Sequence, residues 1–228
     1  MRSSRWQAQG NVYLVAEDVL DADAVRGGVG DADGILEVRA AGDDWVEIAI
    51  WNPDGSRAEM SGNGTRIAAR WLADRTGARA VTVRVGPREV AARMLDGALV
   101  EQDLGAVVVG EPEQVEGVTF TPVDVGNPHA VVEGDPAELP RVGPLLETHP
   151  RFPNRTNVQV ARRLGGGEIE ARVWERGVGE TGSSGTSAVA VAAALGVSPA
   201  TVRFPGGELR VRLEHGRAWL IGPAERAG

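Results

Sequence analysis

Ser61-Gly62-Asn63-Gly64-Thr65-Arg66 and Ser184-Gly185-Thr186-Ser187-Ala188 each set a serine, glycine and small polar residues at the head of an apolar run. The chemistry such a pattern offers is anion binding. The first amides of a helix have no intrahelical acceptors, and the helix dipole adds positive potential at that end. Gly62, Gly64 and Gly185 would let a ligand approach that backbone closely. Capping is the simpler role, because serine is a favoured N-cap. It accounts for Ser61 or Ser184 alone, but not for the polar residues that accompany both. Those are Asn11, Asn52, Asn63, Asn127, Asn157, Glu175 and Arg176, each beside a turn or at a strand end. Together they supply donors and acceptors suited to the carboxylate and ammonium groups of an amino acid.

The two motifs stand in matching contexts. Trp51 precedes Ser61 by ten residues, and Trp174 precedes Ser184 by ten. In both places a strand-like run passes through a glycine-containing loop into the serine motif and then a helix of small residues. That coincidence points to an internal duplication.

The elements that must position these residues follow from periodicity. In the first half, strands are predicted over 12–16, 34–39, 46–51, 81–85, 89–94 and 98–103, and a helix over 65–75, where Ile67, Ala68, Trp71 and Leu72 fall on one face. The stretch Gly27 to Gly34 reads as a flexible loop; it lacks the spacing and surroundings of a dinucleotide-binding loop. Polar, turn-forming residues 110–117 read as a linker. The second half repeats the plan, with strands over 119–125, 129–133, 158–162, 168–174, 201–204, 208–213 and 218–221. A helix over 188–195 ends at Gly196, a suitable C-cap.

Composition narrows the class. A chain of 228 residues is long enough for one large or two smaller cores. A net charge of -8 argues against general nucleic-acid binding but not against an anionic ligand held by backbone amides. With no cysteine, disulfides and thiol chemistry are excluded. His129, His149 and His215 have no metal-ligand spacing, so no metal is expected. No apolar run approaches the roughly 18 residues of a membrane span, and no apolar signal core follows Met1-Arg2-Ser3-Ser4-Arg5. A soluble, cytoplasmic protein with no membrane or nucleic-acid partner is the expectation.

The motifs together resemble those of the diaminopimelate epimerases, over nearly the whole chain. Gly10-Asn11-Val12-Tyr13 is similar to the family's GNDF, with Val12 for the usual aspartate. Asn52-Pro53-Asp54-Gly55-Ser56 and Ala58-Glu59-Met60-Ser61-Gly62-Asn63-Gly64 resemble NxDGSxAEMCGNG, with Ser61 at the first catalytic cysteine. Gly126-Asn127-Pro128-His129 matches GNPH, Phe152 to Val158 matches FPxRxNV, and Glu175 to Thr181 matches ERGxGET. Ser184-Gly185-Thr186-Ser187 stands at CGTG, with serine at the second catalytic cysteine and at the last glycine. The chain is also shorter than typical members, and its 30–34 loop carries one extra residue.

The resemblance implies an α+β fold of two pseudo-symmetric domains, each a curled, mostly antiparallel sheet around a central helix. Residues 1–110, completed by 218–228, would form one domain and 117–217 the other. Substrate would bind in the cleft between them. Asn11, Asn52, Asn127, Asn157, Glu175 and Arg176 fall at ligand-binding positions. The amides of Gly62, Asn63, Gly185 and Thr186 would hold the α-carboxylate, and His129 would be an auxiliary site residue. The implied activity needs no cofactor: one thiolate removes the α-proton and a thiol on the opposite face returns one. The substrate would be an amino acid, diaminopimelate in lysine biosynthesis, and a homodimer is left open.

Serine changes that chemistry. A hydroxyl is a weaker acid than a thiol by roughly five pKa units, about 7 kcal/mol in forming the base, and a helix dipole contributes roughly 1 kcal/mol. Ser61 and Ser184 thus mark catalytic positions with impaired turnover expected. They could be deliberate replacements of cysteine, or belong to a natural non-catalytic amino-acid binder. A third origin is an epimerase of another amino acid with a carboxylate base, for which Glu59, Glu175 and Glu180 are candidates.

Overall fold

In a computed structural model that describes residues 2–227, the chain divides into two compact units. One is Leu104–Leu220; the other is the chain before and after it. Both are built on the same plan, a mixed α+β fold with internal pseudo-symmetry.

In the first unit, strand Ser3–Ala8 pairs antiparallel with Asn11–Ala16 (Trp6 opposite Tyr13). Helix α1 (Ala22–Gly28) then crosses over to strand Gly34–Ala41, which lies parallel to Asn11–Ala16 with Tyr13 beside Gly34. Strand Trp45–Trp51 returns antiparallel. Helix α2 (Gly62–Thr76) makes a second crossover, to the parallel strand Ala80–Val85. Antiparallel strands Arg88–Met94 and Leu99–Ala106 follow. The C-terminal residues complete this unit: Arg226 pairs with Trp6, and Ala224 N donates to Ala98 O at 2.9 Å.

The second unit repeats each step with the same strand sense. Val118–Asp124 is antiparallel to Pro128–Glu133, which is parallel to Asn157–Gly165 after a crossover through helix α3 (Leu139–Glu147). Glu168–Glu175 is antiparallel to Asn157–Gly165, and helix α4 (Gly185–Ala194) crosses to the parallel strand Ala200–Phe204. The registers correspond: Tyr13 lies beside Gly34 as His129 lies beside Asn157.

Both long helices are buried at the centre of their units. Helix α2 touches strands Ser3–Ala8, Asn11–Ala16, Trp45–Trp51, Ala80–Val85 and Arg88–Met94, and α4 is wrapped in the same way by six strands of its own unit. This explains the uniformly small and apolar α4 sequence, since a helix enclosed on all sides has no polar face. Strand Asn157–Gly165 is sandwiched. Val158 and Val160 pack with Leu139, Val142 and Leu146 of α3, while Ala161 packs toward α4. Gln159, by the period of two, also faces α4.

Several sequence expectations need correction. The 110–117 linker contains a strand, Glu113–Val115, paired with Val118–Asp124. Glu116 (φ 48°) and Gly117 (φ 80°) form its two-residue hairpin turn, whose central residues need positive φ. The Gly27 to Gly34 loop is partly helical: α1 runs through Gly28, capped by Asp21, which accepts from Ala24 N at 2.8 Å. Strand Ser3–Ala8 is absent from the sequence expectations because it is mostly polar, with only the apolar Trp6 and Ala8 buried. Helix α3 is absent from the sequence expectations, and its two prolines, Pro140 and Pro144, are helix-breaking residues by type. Pro140 sits in the first turn, where its missing N–H costs nothing, and burial of Leu139, Val142 and Leu146 outweighs the bond lost at Pro144. Helices α2 and α4 each begin three residues earlier than predicted, at Gly62 and Gly185. Gly196 (φ 62°) does end α4: its N–H bonds Ala193 O and that of Val197 bonds Ala192 O, the paired closure of a Schellman motif.

Candidate active site

The duplicated motifs form two half-sites, one in each unit, at the N-termini of α2 and α4. In the first, Ser61 is the N-cap of α2, and its Oγ accepts from Gly64 N at 2.9 Å. Tyr13 OH lies 3.2 Å from the same Oγ. A Cβ on Gly64 would sit 3.0 Å from Leu36 Cδ2 and 3.2 Å from Ser61 Oγ, so the packing around this cap is tight and a larger residue would have to displace the Leu36 side chain. Among the described residues no acceptor takes the amides of Gly62 and Asn63.

Asn63 is buried, and its Nδ2 donates to Asn11 Oδ1 at 2.9 Å. The fully buried Arg66 guanidinium donates to Asn63 Oδ1, to Gly62 O at 3.2 Å and to Pro223 O at 3.5 Å. Burial without a carboxylate partner lowers its pKa to about 9. Asn52 is turned elsewhere: its Nδ2 donates to Ser56 Oγ at 2.9 Å, and Ser56 in turn donates to Asp54, within its own turn. Those hydrogen bonds hold the Asp54 carboxyl below its ordinary pKa.

The second half-site differs in its serine. Ser184 is the N-cap of α4 by backbone geometry, yet its side chain makes no cap bond. The amides of Gly185, Thr186 and Ser187 have no acceptor among the described residues. Asn127 Nδ2 lies 3.4 Å from Thr186 Oγ1, and Asn127 Oδ1 lies 2.9 Å from His129 Nε2. His129 is buried, which pushes its pKa down to about 3. The nearby Arg176 charge acts in the same direction, and a hydrogen bond to Gln159 opposes them. At neutral pH this histidine is uncharged.

Asn157 ties two loops together. Its Nδ2 donates to Pro128 O at 2.9 Å, and its Oδ1 accepts from Arg176 N at 3.0 Å. Glu175 Oε1 accepts from Thr181 Oγ1 at 2.6 Å. The turn that carries Glu175 and Arg176 is held by Glu147 of α3, whose carboxylate accepts from Gly177 N at 2.7 Å and Trp174 Nε1 at 2.8 Å. Of the alternative bases, Glu180 is committed to a two-bond pair with Arg172, at 2.7 Å for each bond.

Four residues of these half-sites were not found from sequence. Tyr13 could have been, because superposing the repeats puts it at the position of His129. Gln159, Ser187 as a hydrogen-bonding group and Glu147 left no local signal, since the partners that matter here lie 28 to 30 residues away. The two tryptophans of the repeat are also explained: each indole donates to a buried carboxylate, Trp51 to Glu37 at 2.7 Å and Trp174 to Glu147.

Comparison with known proteins identifies the family of the chain. The diaminopimelate epimerase family profile matches residues 121–226. A diaminopimelate epimerase of Synechococcus sp. (strain JA-2-3B'a(2-13)) is 38% identical, over 97% of this chain and 89% of its own length. One from Pelotomaculum thermopropionicum is 37% identical over 87% and 82% respectively. Among solved structures, a "Predicted Epimerase" from Pseudomonas aeruginosa shares the fold with a TM-score of 0.75 at 15% identity, covering 100% of this chain and 97% of that one. A hydroxyproline epimerase from Agrobacterium vitis does so with a TM-score of 0.71 at 16% identity, over 99% and 89%. The chain is thus of the amino-acid epimerase and racemase class of isomerases. It belongs to the diaminopimelate epimerase family.

Proposed function

We propose that this protein binds diaminopimelate and that Ser61 and Ser184 stand at the two acid/base positions of a cofactor-independent α-proton exchange. The observation that carries this reading is the pair of helix N-termini, α2 and α4, each with a serine at the N-cap and with first-turn amides (Gly62 and Asn63, Gly185 and Thr186) that no group among the described residues accepts from. The amides of Gly62 and Asn63 in the first unit, and of Gly185 and Thr186 in the second, are donors suited to a carboxylate. Asn11, Asn127 and Arg176 supply further donors, and Glu175 an acceptor for an ammonium group. Asn52 and Asn157 contribute by shaping the loops, as their amides are spent on Ser56 and on backbone groups.

Turnover is expected to be severely reduced. Each hydroxyl falls short of a thiol as a base by about 7 kcal/mol, and the Ser61 hydroxyl is further engaged with Gly64 N and Tyr13. Neither helix dipole recovers more than about 1 kcal/mol. A place in lysine biosynthesis in the cytoplasm accords with this reading, and no helix among the described residues is long and apolar enough to cross a membrane.

The test is calorimetric titration with LL- and meso-diaminopimelate, together with α-deuterium uptake from heavy water. Binding with negligible exchange is expected, and the Ser61→Cys/Ser184→Cys double variant should gain epimerisation. Rapid α-exchange by the unaltered protein would refute the impairment, and failure to bind either stereoisomer would refute the substrate.

A further inference from the structure

Gln159 lies at the centre of a largely buried polar chain, and neither its side chain nor the Ser187 hydroxyl takes part in the proposed chemistry. One end of its carboxamide is 3.0 Å from His129 Nδ1 and 2.9 Å from Ser187 Oγ. The other end, Oε1, is buried without a hydrogen-bond partner. From His129 the chain continues through Nε2 to Asn127 Oδ1 at 2.9 Å, and from Asn127 Nδ2 to Thr186 Oγ1 at 3.4 Å. Gln159 and Ser187 are both fully buried, and His129 nearly so.

Only two polarities close this chain. In one, the Gln159 amide NH2 uses both hydrogens, one on His129 Nδ1 and one on Ser187 Oγ. Nδ1 must then be bare, the ring proton sits on Nε2, and Asn127 accepts it through Oδ1. In the other, the Gln159 oxygen accepts from Nδ1–H and from the Ser187 hydroxyl, and Asn127 turns over to donate to Nε2. The second leaves an NH2 with two donors orphaned where Oε1 now lies, whereas the first leaves a single carbonyl oxygen. Orphaned buried N–H groups are the rarer and costlier defect, so the first polarity prevails.

The fold does not require this chain. In the first unit, Leu36 takes the position of Gln159, two residues along the strand beyond the Tyr13–Gly34 pair, as Gln159 is beyond His129–Asn157. Gly64 takes the position of Ser187, and Leu36 packs over it. One half of the molecule makes this contact with apolar groups and the other with polar ones.

We infer that Gln159 and Ser187 are a positioning pair that holds His129 as its Nε2–H tautomer and so turns the Asn127 amide NH2 toward the N-terminus of α4, as a donor for a carboxylate of the ligand. The carboxylate part rests on the amino-acid-binding reading given above; the tautomer part stands without it.

The experiment is a long-range 1H–15N spectrum of the imidazoles, with His149 and His215 replaced by glutamine so that His129 alone reports. The unaltered site should show a bare Nδ1 and a protonated Nε2. Gln159→Glu puts acceptor oxygens where the amide hydrogens were, and should protonate Nδ1. Gln159→Leu/Ser187→Gly, which copies the first unit, should release the fixed tautomer and weaken diaminopimelate binding roughly tenfold, the worth of about one hydrogen bond. Should one variant fail to fold by its amide spectrum, the other decides. An Nδ1–H tautomer in the unaltered protein would overturn the proposal, as would an Nδ1 still bare in Gln159→Glu. So would an unchanged tautomer and affinity in the double variant. If the unaltered protein binds neither stereoisomer, the substrate reading fails and the tautomer result alone decides this one.

Discussion

Ser61 and Ser184 are equivalent by repeat but unequal in their bonds. Ser61 Oγ accepts from Gly64 N, whereas Ser184 makes no cap bond. Ser61→Ala should therefore cost about 1 kcal/mol in urea unfolding, the usual worth of an N-cap, and Ser184→Ala should cost much less. Equal losses would mean that both serines are structural caps. His129 gives a prediction of definite sign. Its folded pKa, about 3, lies below the ordinary histidine value of 6.5, so between those values the unfolded chain binds the extra proton. Stability must then fall as pH drops through this window, by up to about 1.4 kcal/mol per pH unit. Asn127 Oδ1 and Gln159 face the two ring nitrogens, and Arg176 is the charge that acts on the ring. Replacing His129→Asn should flatten the stability curve between pH 6.5 and 4, measured by urea midpoints at stepped pH. These side-chain roles were only partly legible: the repeat and its glycines were plain in sequence, but which amides are spent locally was not. Asn52 and Asn157 look alike in sequence to Asn11 and Asn127, yet they spend their amide groups on loop partners.

At the scale of elements, α3 shows how a helix can serve a site it does not form. Gly143 lets it lie against Trp174: a Cβ there would meet the Trp174 Cβ and ring at 2.9 Å. One turn on, Glu147 fastens Trp174 Nε1 and Gly177 N and so holds the turn bearing Glu175 and Arg176. Gly143→Ala should push the helix away and destabilise by about 1–3 kcal/mol, the range for overpacking. Faster hydrogen exchange at the Gly177 amide would be the diagnostic sign, and unchanged exchange would disconnect the helix from the turn. This element escaped sequence reading because two prolines mask its period, and only burial of Leu139, Val142 and Leu146 repays their cost. Helix α2 and most of the longer strands were legible because their apolar periodicity is the fold's own requirement, and α4 because its run of small apolar residues ends at a glycine.

For the molecule as a whole, the chain's end belongs to the first unit. Arg226 pairs with Trp6, Ala224 N with Ala98 O, and Pro223 O accepts from the buried Arg66. Deleting residues 224–228 should lower the unfolding midpoint and concentrate the loss of amide protection in strand Ser3–Ala8, the strand that pairs with Glu225 and Arg226. Protection lost evenly over the chain would contradict that assignment. The duplication, the succession of strands and helices and the two serine-headed helices can be read from the chain alone, because each is written in local periodicity and in glycines at close-packed turns; the two-domain α+β plan comes with the motif resemblance. That Ser61 caps and Ser184 does not, that His129 is buried and neutral, and that Gln159, Ser187 and Glu147 hold the site's side chains in place emerges only in the folded molecule. Those facts depend on which buried donor meets which acceptor across strands and helices far apart in the chain, and no local pattern records that pairing.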